Sequence, residues 1–130
     1  MKATTINKGD VSVLRVAAAL IASGERVLKP VSDGERYDLA VDRQGTLYRI
    51  QVKAGRYRRG AVVFNTCSTR GGRKGYIGHV EAFGVFCSET DSVYLIPIEY
   101  VAQKANMTLR INAAKNGMKK RINAASEFKI

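Results

Sequence analysis

The stretch Leu47-Tyr48-Arg49-Ile50-Gln51-Val52-Lys53 carries the sharpest chemical signal in this 130-residue chain. Side chains alternate across a strand, so Arg49, Gln51 and Lys53 share one face while Tyr48, Ile50 and Val52 share the other. An amide and an ammonium group therefore project together. Upstream, Arg36-Tyr37-Asp38-Leu39-Ala40-Val41-Asp42 reads as a partner strand, with Asp38 at its start just after the turn-forming Ser32-Asp33-Gly34. An aspartate beside an amide oxygen and a lysine is a set that could coordinate a hard cation next to a fixed positive charge. Considered alone, Lys53 reads as a solvent-facing strand residue. Its pairing with Asp38 is what points to chemistry.

The remaining chemically capable residues read more plainly. His79 is the one histidine, in Gly78-His79-Val80-Glu81, and without a cysteine or serine partner pattern it reads as structural. Asp33 and Asp42 read as turn residues. Cys67 and Cys87, twenty positions apart with no Cys-x-x-Cys spacing, read as small core hydrophobes of a reducing compartment and argue against a zinc site. Asp10 has two readings. Val13, Leu14, Ala17 and Ile21 follow it at helical spacing, which puts its carboxylate on the inward helix face, where a cation would satisfy it. The other reading is a helix N-cap.

These residues must be positioned by a small set of elements. The apolar spacing from Lys8 to Ser23, with Gly24 as a stop, predicts a helix. Strands follow at Val27-Leu28, at Tyr37 to Val41, and at Leu47 to Ala54 across the turn Asp42-Arg43-Gln44-Gly45, an antiparallel hairpin. Further strands are expected at Ala61 to Asn65, Val85 to Cys87 and Val93 to Ile96, the last ended by Pro97 and followed by a short helix from Ile98 to Gln103. Gly55 to Gly60 and Arg70 to Gly75 read as glycine- and arginine-rich loops. The tail repeats Arg-Ile-Asn-Ala-Ala at 110–114 and 121–125, with the turn signal Asn116-Gly117 between the copies.

Charge says what the surface meets. The net charge is +11, distributed as +3 over residues 1–54, +6 over 55–80, −4 over 81–103 and +6 over 104–130. Two basic blocks flank an acidic one, so a fold that joins them presents a one-sided basic surface of the kind phosphate backbones select. Arg56, Arg58, Arg59, Arg70, Arg73, Lys74, Lys119, Lys120 and Arg121 are the expected DNA contacts. Tyr57 reads as a stacking residue or an ordinary exposed tyrosine. The longest apolar run, Val16 to Ala22, is too short to span a bilayer, so a membrane partner is not expected and the chain is expected to be cytoplasmic. At 130 residues it reads as one domain, 1–130, large enough to fold without disulfide or metal staples.

The order of these parts resembles the PD-(D/E)XK nuclease superfamily. More narrowly, Tyr37-Asp38-Leu39, then Ile50-Gln51-Val52-Lys53, then Val93-Tyr94-Leu95-Ile96-Pro97 resemble the group I intron homing endonucleases and related phage endonucleases, in which Gln replaces the second acid. The resemblance implies an α/β fold, a mixed central sheet flanked by helices. It implies that Asp38 and Gln51 are metal ligands with the Val52 main-chain carbonyl, that Lys53 acts on the scissile phosphate or the attacking water, and that Asp10 matches the helix acid. The cofactor it implies is Mg²⁺, with Mn²⁺ also active, and the partner is double-stranded or branched DNA, cut by a homodimer or homotetramer. A Holliday (four-way) junction resolvase of the same superfamily and a catalytically inactive DNA-binding module are the alternatives.

Overall fold

The computed structural model describes residues 4–68, 74–101, 105–112 and 124–130. Helix α1 runs over Thr5–Ala22 and starts three residues before the expected Lys8, because Thr4 is its N-cap and accepts the Asn7 N–H at 3.2 Å. It stops where the sequence says. Gly24 takes φ +92°, its N–H donates to Ile21 O, and Glu25 N–H donates to Leu20 O, the paired bonds of a Schellman end.

The strands are β1 (Arg26–Leu28), β2 (Leu39–Arg43), β3 (Thr46–Arg58), β4 (Ala61–Asn65), β5 (Cys67–Ser68), β6 (Lys74–Gly75), β7 (Ala82–Cys87), β8 (Ser92–Pro97) and β9 (Asn106–Arg110). The main sheet runs β1-β2-β3-β4-β9, with β7 and β8 added beside β3. It is mixed: β3 and β7 are parallel, and every other pairing in it is antiparallel. The expected architecture is therefore present, with α1 as the one long helix among the described residues. The helix expected from Ile98 to Gln103 is a single 3₁₀ turn, Ile98–Tyr100.

Two turns set the hairpins. Gln44 and Gly45 both have positive φ, 54° and 89°, the geometry that matches strand twist in a two-residue hairpin, and Asp42 Oδ1 accepts the Gly45 N–H at 2.7 Å. Asp42 is thus the turn residue its sequence suggested. Arg59 and Gly60, at φ 49° and 77°, make the same kind of turn between β3 and β4. That overturns the expected loop over 55–60. β3 continues through Gly55 to Arg58, because Gly55 lies where a Cβ would come within 2.7 Å of Val62 and 2.9 Å of Val85. Gly55 is an intersection of neighbouring side chains, not a flexible joint.

The sheet is covered on both faces. On one face Val16 and Leu20 of α1 pack on Leu39, Val41, Ile50, Val52, Phe86 and Val93; on the other face Val62, Phe64, Tyr76, Phe83, Val85, Ile96, Leu109 and Phe128 pack together. The inward face of α1 is Ser12, Val16 and Leu20. Of the expected inward face, Val13 and Ala17 are half-buried against this core, whereas Leu14 and Ile21 are 65% and 60% exposed, and Asp10 is exposed with them. Cys87 is buried in the second core, as expected, and Cys67 is half-buried. No helix among the described residues is long and apolar enough to cross a membrane.

Candidate active site

The central strand has a gap on one edge. β2 pairs with β3 from Thr46 to Ile50, and β4 pairs with it from Arg56 to Arg58. The opposite edge belongs to β7, which pairs with residues 50 to 55. Tyr57 N–H, pointing away from β4, goes to Glu89 Oε1 at 3.1 Å, which puts β4 on the β2 edge. Residues 51–55 therefore have no ladder partner on the edge that β2 and β4 share. Polar backbone groups left there need other partners.

Asp38 supplies one. Its own N–H donates to Ile50 O at 2.9 Å, and its Oδ2 accepts the Val52 N–H at 2.9 Å. The carboxylate is thereby fixed against the residue between Gln51 and Lys53. Burial raises its pKa above the ordinary aspartate range, opposed by the Val52 hydrogen bond and by the charges of Lys53 and Lys29. Gln51 turns its amide nitrogen to the Val52 carbonyl at 3.3 Å. Lys53 Nζ lies 3.4 Å from both Cys67 O and the Tyr76 hydroxyl, and 4.9 Å from the centre of the Tyr76 ring. Asp38 is thus tied to the main chain between Gln51 and Lys53, and the Lys53 charge acts on its carboxyl.

Asp10 shares a cleft with Asp38, by a different route from the one expected. It is neither inward-facing nor an N-cap, since Thr4 holds the cap and Asp10 lies in the second turn. With Asp38, Lys29, Asp33, Glu35 and Tyr37 it lines an open cleft of about 430 Å³ between α1 and the segment before β2. Asp33, read as a turn residue, also faces this cleft.

A cation here would have oxygen donors only: the Asp38 carboxylate, the Gln51 amide oxygen and the Val52 carbonyl, with Asp10 across the cleft. Among the described residues no three His, Cys, Asp or Glu side chains converge, so the set holds one fixed carboxylate rather than a cage. Such a set suits a hard divalent cation that keeps several of its waters. The raised pKa of Asp38 is the mark of a buried carboxylate that a cation would relieve.

Of the expected DNA contacts, Arg56, Tyr57, Arg58 and Arg59 are exposed at the far end of β3 and its turn. Alternation separates them: Arg56 and Arg58 project to the α1 side of the sheet, beyond the helix, and Tyr57 to the other. Arg70, Arg73, Lys119, Lys120 and Arg121 lie outside the described residues, as does the side chain of Lys74. The second copy of the tail repeat also falls there in part. His79 is exposed in the turn from Tyr76 to Val80, where its N–H donates to Tyr76 O at 2.8 Å.

Two residues beside the site were not singled out by sequence reasoning. Arg36 places its guanidinium 4.2 Å from the centre of the Tyr76 ring, and Tyr76 is buried under Lys53. Arg36 had a signal, because it alternates with Asp38 and so shares its side of the strand. Tyr76 had none, because its closeness depends on chain folding back over many residues.

The sequence profile of the family described as PD-(D/E)XK endonuclease matches residues 3–130. No curated protein matches the chain. Among the solved structures, the bacterial homing endonuclease I-Ssp6803I is similar, with a TM-score of 0.73 and 24% identity over 98% of this chain and 88% of that one.

Proposed function

The chain belongs to the PD-(D/E)XK endonuclease family, and from that membership we propose that it is a divalent-cation-dependent DNA endonuclease of the homing type, with its reaction centre at Asp38, Gln51 and Lys53. The observation that carries this reading is the Asp38 carboxylate bonded to Val52 N–H in the gap between β2 and β4. Gln51 and Lys53 flank Val52 along the chain, and the Lys53 charge acts on the Asp38 carboxyl, which supports a site built from a carboxylate, an amide, a main-chain carbonyl and an ammonium.

Each group has a part in phosphodiester hydrolysis. Asp38, Gln51 and the Val52 carbonyl would hold the cation, with Asp10 facing it across the cleft. A bound Mg²⁺ or Mn²⁺ supplies a lowered pKa for coordinated water and Lewis acidity toward a phosphate oxygen. Lys53 donates to a non-bridging phosphate oxygen as charge builds there, an interaction strongest in the transition state. Because one carboxylate is a weak anchor, the DNA phosphate completes the cation's shell and affinity for metal alone is low. Arg56, Arg58 and Arg59 extend the contact along the duplex by neutralising phosphates.

One site cuts one strand, so a double-strand break needs two copies, arranged as a homodimer or homotetramer with two-fold symmetry. The likeness to a homing endonuclease favours a duplex target over a junction. The test is incubation of the protein with supercoiled plasmid, random-sequence linear duplex and a mobile four-way junction, with and without Mg²⁺. Cleavage of duplex at a selected pseudo-palindromic site, lost in Lys53→Ala while binding persists, is the expected result. Junction cutting without a duplex consensus would make it a resolvase, and binding without cleavage in any metal would leave a DNA-binding module.

A further inference from the structure

Arg36, Lys53 and Tyr76 form a cluster that the metal site does not account for. Tyr76 is 6% exposed and packs edge-on against Phe83, ring centres 5.6 Å apart at 86°, so its ring is anchored in the core. Two cations lie against that one ring: the Arg36 guanidinium carbon at 4.2 Å and Lys53 Nζ at 4.9 Å from its centre. The Tyr76 hydroxyl is 3.4 Å from Lys53 Nζ, and Arg36 Nη2 donates to Gly75 O at 2.6 Å. Each cation is therefore held in place by neutral groups.

Among the described residues neither makes an ion pair. Arg15, Arg43 and Arg49 each pair with a carboxylate, from Asp91, Glu25 and Glu81, whereas among the described residues no carboxylate lies within ion-pair reach of Arg36 or Lys53. The Nε of Arg36 is buried with no hydrogen-bond partner among the described residues. Two like charges gathered at one ring repel each other, and an arginine donor left without a partner costs free energy. A cation held against a ring gains only modestly from it. The arrangement lacks an anion with several acceptor oxygens.

We propose that Arg36 and Lys53 are the two sides of a phosphodiester seat, with Tyr76 as the positioning residue beneath them and Asp38 at its edge. Arg36 donates to one non-bridging oxygen of the DNA phosphate at the cleavage position while Lys53 donates to the other. The planar guanidinium suits this contact better than a second lysine, because it presents parallel donors in a fixed fork. The inference deepens the nuclease reading and rests on it for the source of the phosphate.

The experiment follows single-turnover nicking of supercoiled plasmid in Mg²⁺, and duplex binding in Ca²⁺, for the wild-type chain, Arg36→Ala, Arg36→Lys and Tyr76→Phe. Arg36→Ala is expected to slow nicking by about 10²-fold, the usual loss for one transition-state donor, with duplex affinity changed less than about fivefold. Free guanidinium restores part of the rate to Arg36→Ala, whereas an equal concentration of NaCl does not, a response that a merely structural arginine would not give. Arg36→Lys falls between the two, and Tyr76→Phe, which keeps the ring and loses the hydroxyl that holds Lys53 Nζ, slows nicking, though less than Arg36→Ala does. Nicking by Arg36→Ala within threefold of wild type, or a loss that guanidinium leaves untouched, overturns the seat and leaves the nuclease reading standing. If the wild-type chain nicks no DNA, the nuclease reading fails and the seat is read from the Arg36 Nε–H resonance during titration with a short duplex: a shift supports it, and an unmoved signal overturns it.

Discussion

The Asp38 carboxylate accepts the Val52 main-chain N–H at 2.9 Å, so the acid of one strand is tied to the backbone between the amide and the ammonium of the next. Burial nevertheless dominates its titration and raises its pKa. A folded pKa above the unfolded one means that the folded state holds the extra proton, so the contribution of Asp38 to stability is greatest below the ordinary value of about 3.9 and is lost as pH rises through the folded value. Asp38→Asn keeps an acceptor for Val52 N–H and removes the buried charge. The variant is expected to melt above the wild type at pH 7 in chelator, the gap closing as pH falls toward about 4, while cleavage is abolished. With duplex already bound, adding Mg²⁺ should raise the wild-type melting temperature further and leave that of the variant complex unchanged.

The Arg49 and Glu81 pair should respond to pH in the opposite direction. Arg49 donates from its main-chain N–H, Nε and Nη2 to the Glu81 carboxylate, which lowers that carboxyl's pKa, and Glu81 N–H donates back to Arg49 O. A lowered folded pKa gives stability that is present above the ordinary glutamate value of about 4.3 and is lost as pH falls through it. Both side chains are a third or more exposed, so the charge contributes less than about 1 kcal/mol. Glu81→Gln should lower the melting temperature by a few degrees at pH 7 and converge with wild type near pH 3 in a melting series.

Gln51→Glu adds a second carboxylate where the amide now lies. A unit charge at 4 Å contributes about 1 kcal/mol even at the dielectric constant of water and more in a partly buried site. Half-saturating Mn²⁺, read by calorimetry in the absence of DNA, is expected to fall by about tenfold or more. An unchanged value would remove Gln51 from the cation's ligands.

The basic end of β3 is testable through salt. Arg56, Arg58 and Arg59 are exposed there, and each phosphate they neutralise adds about 0.9 to the slope of log affinity against log salt. The triple alanine variant should lower that slope by about two to three, measured by fluorescence anisotropy on a duplex, with little change in melting temperature. An unaltered slope would take this hairpin out of the interface.

Much of the fold was legible because its signals were local. The alternation of β2 and β3, the Gln44-Gly45 turn and the Gly24 stop each rest on neighbouring residues, and with them came Asp38, Gln51 and Lys53. The inward face of α1 was legible only at Val13 and Ala17, since apolar residues lie on both faces and only packing on the sheet chooses Val16 and Leu20 over Leu14 and Ile21. The true length of β3 was hidden because Gly55 and three arginines look like a loop until Val62 and Val85 are seen to need the space. β9 did carry a signal in the tail: Met107 and Leu109 are buried and alternate with the exposed Asn106 and Thr108. The Tyr76 platform under Lys53 depends on contacts between distant segments, which no local pattern records.

Gly84 lies beneath α1, where a Cβ would fall 2.6 Å from a Val16 methyl. Asp10 rides on that helix, while Asp38 is tied to β3 through Val52. A single methyl at position 84 would act as a shim, lifting the helix and widening the spacing of the two acids, at the usual overpacking cost of about 1–3 kcal/mol. The calibration of the cleft is thus held by a residue with no side chain, on the floor of the core, at a position no substrate touches.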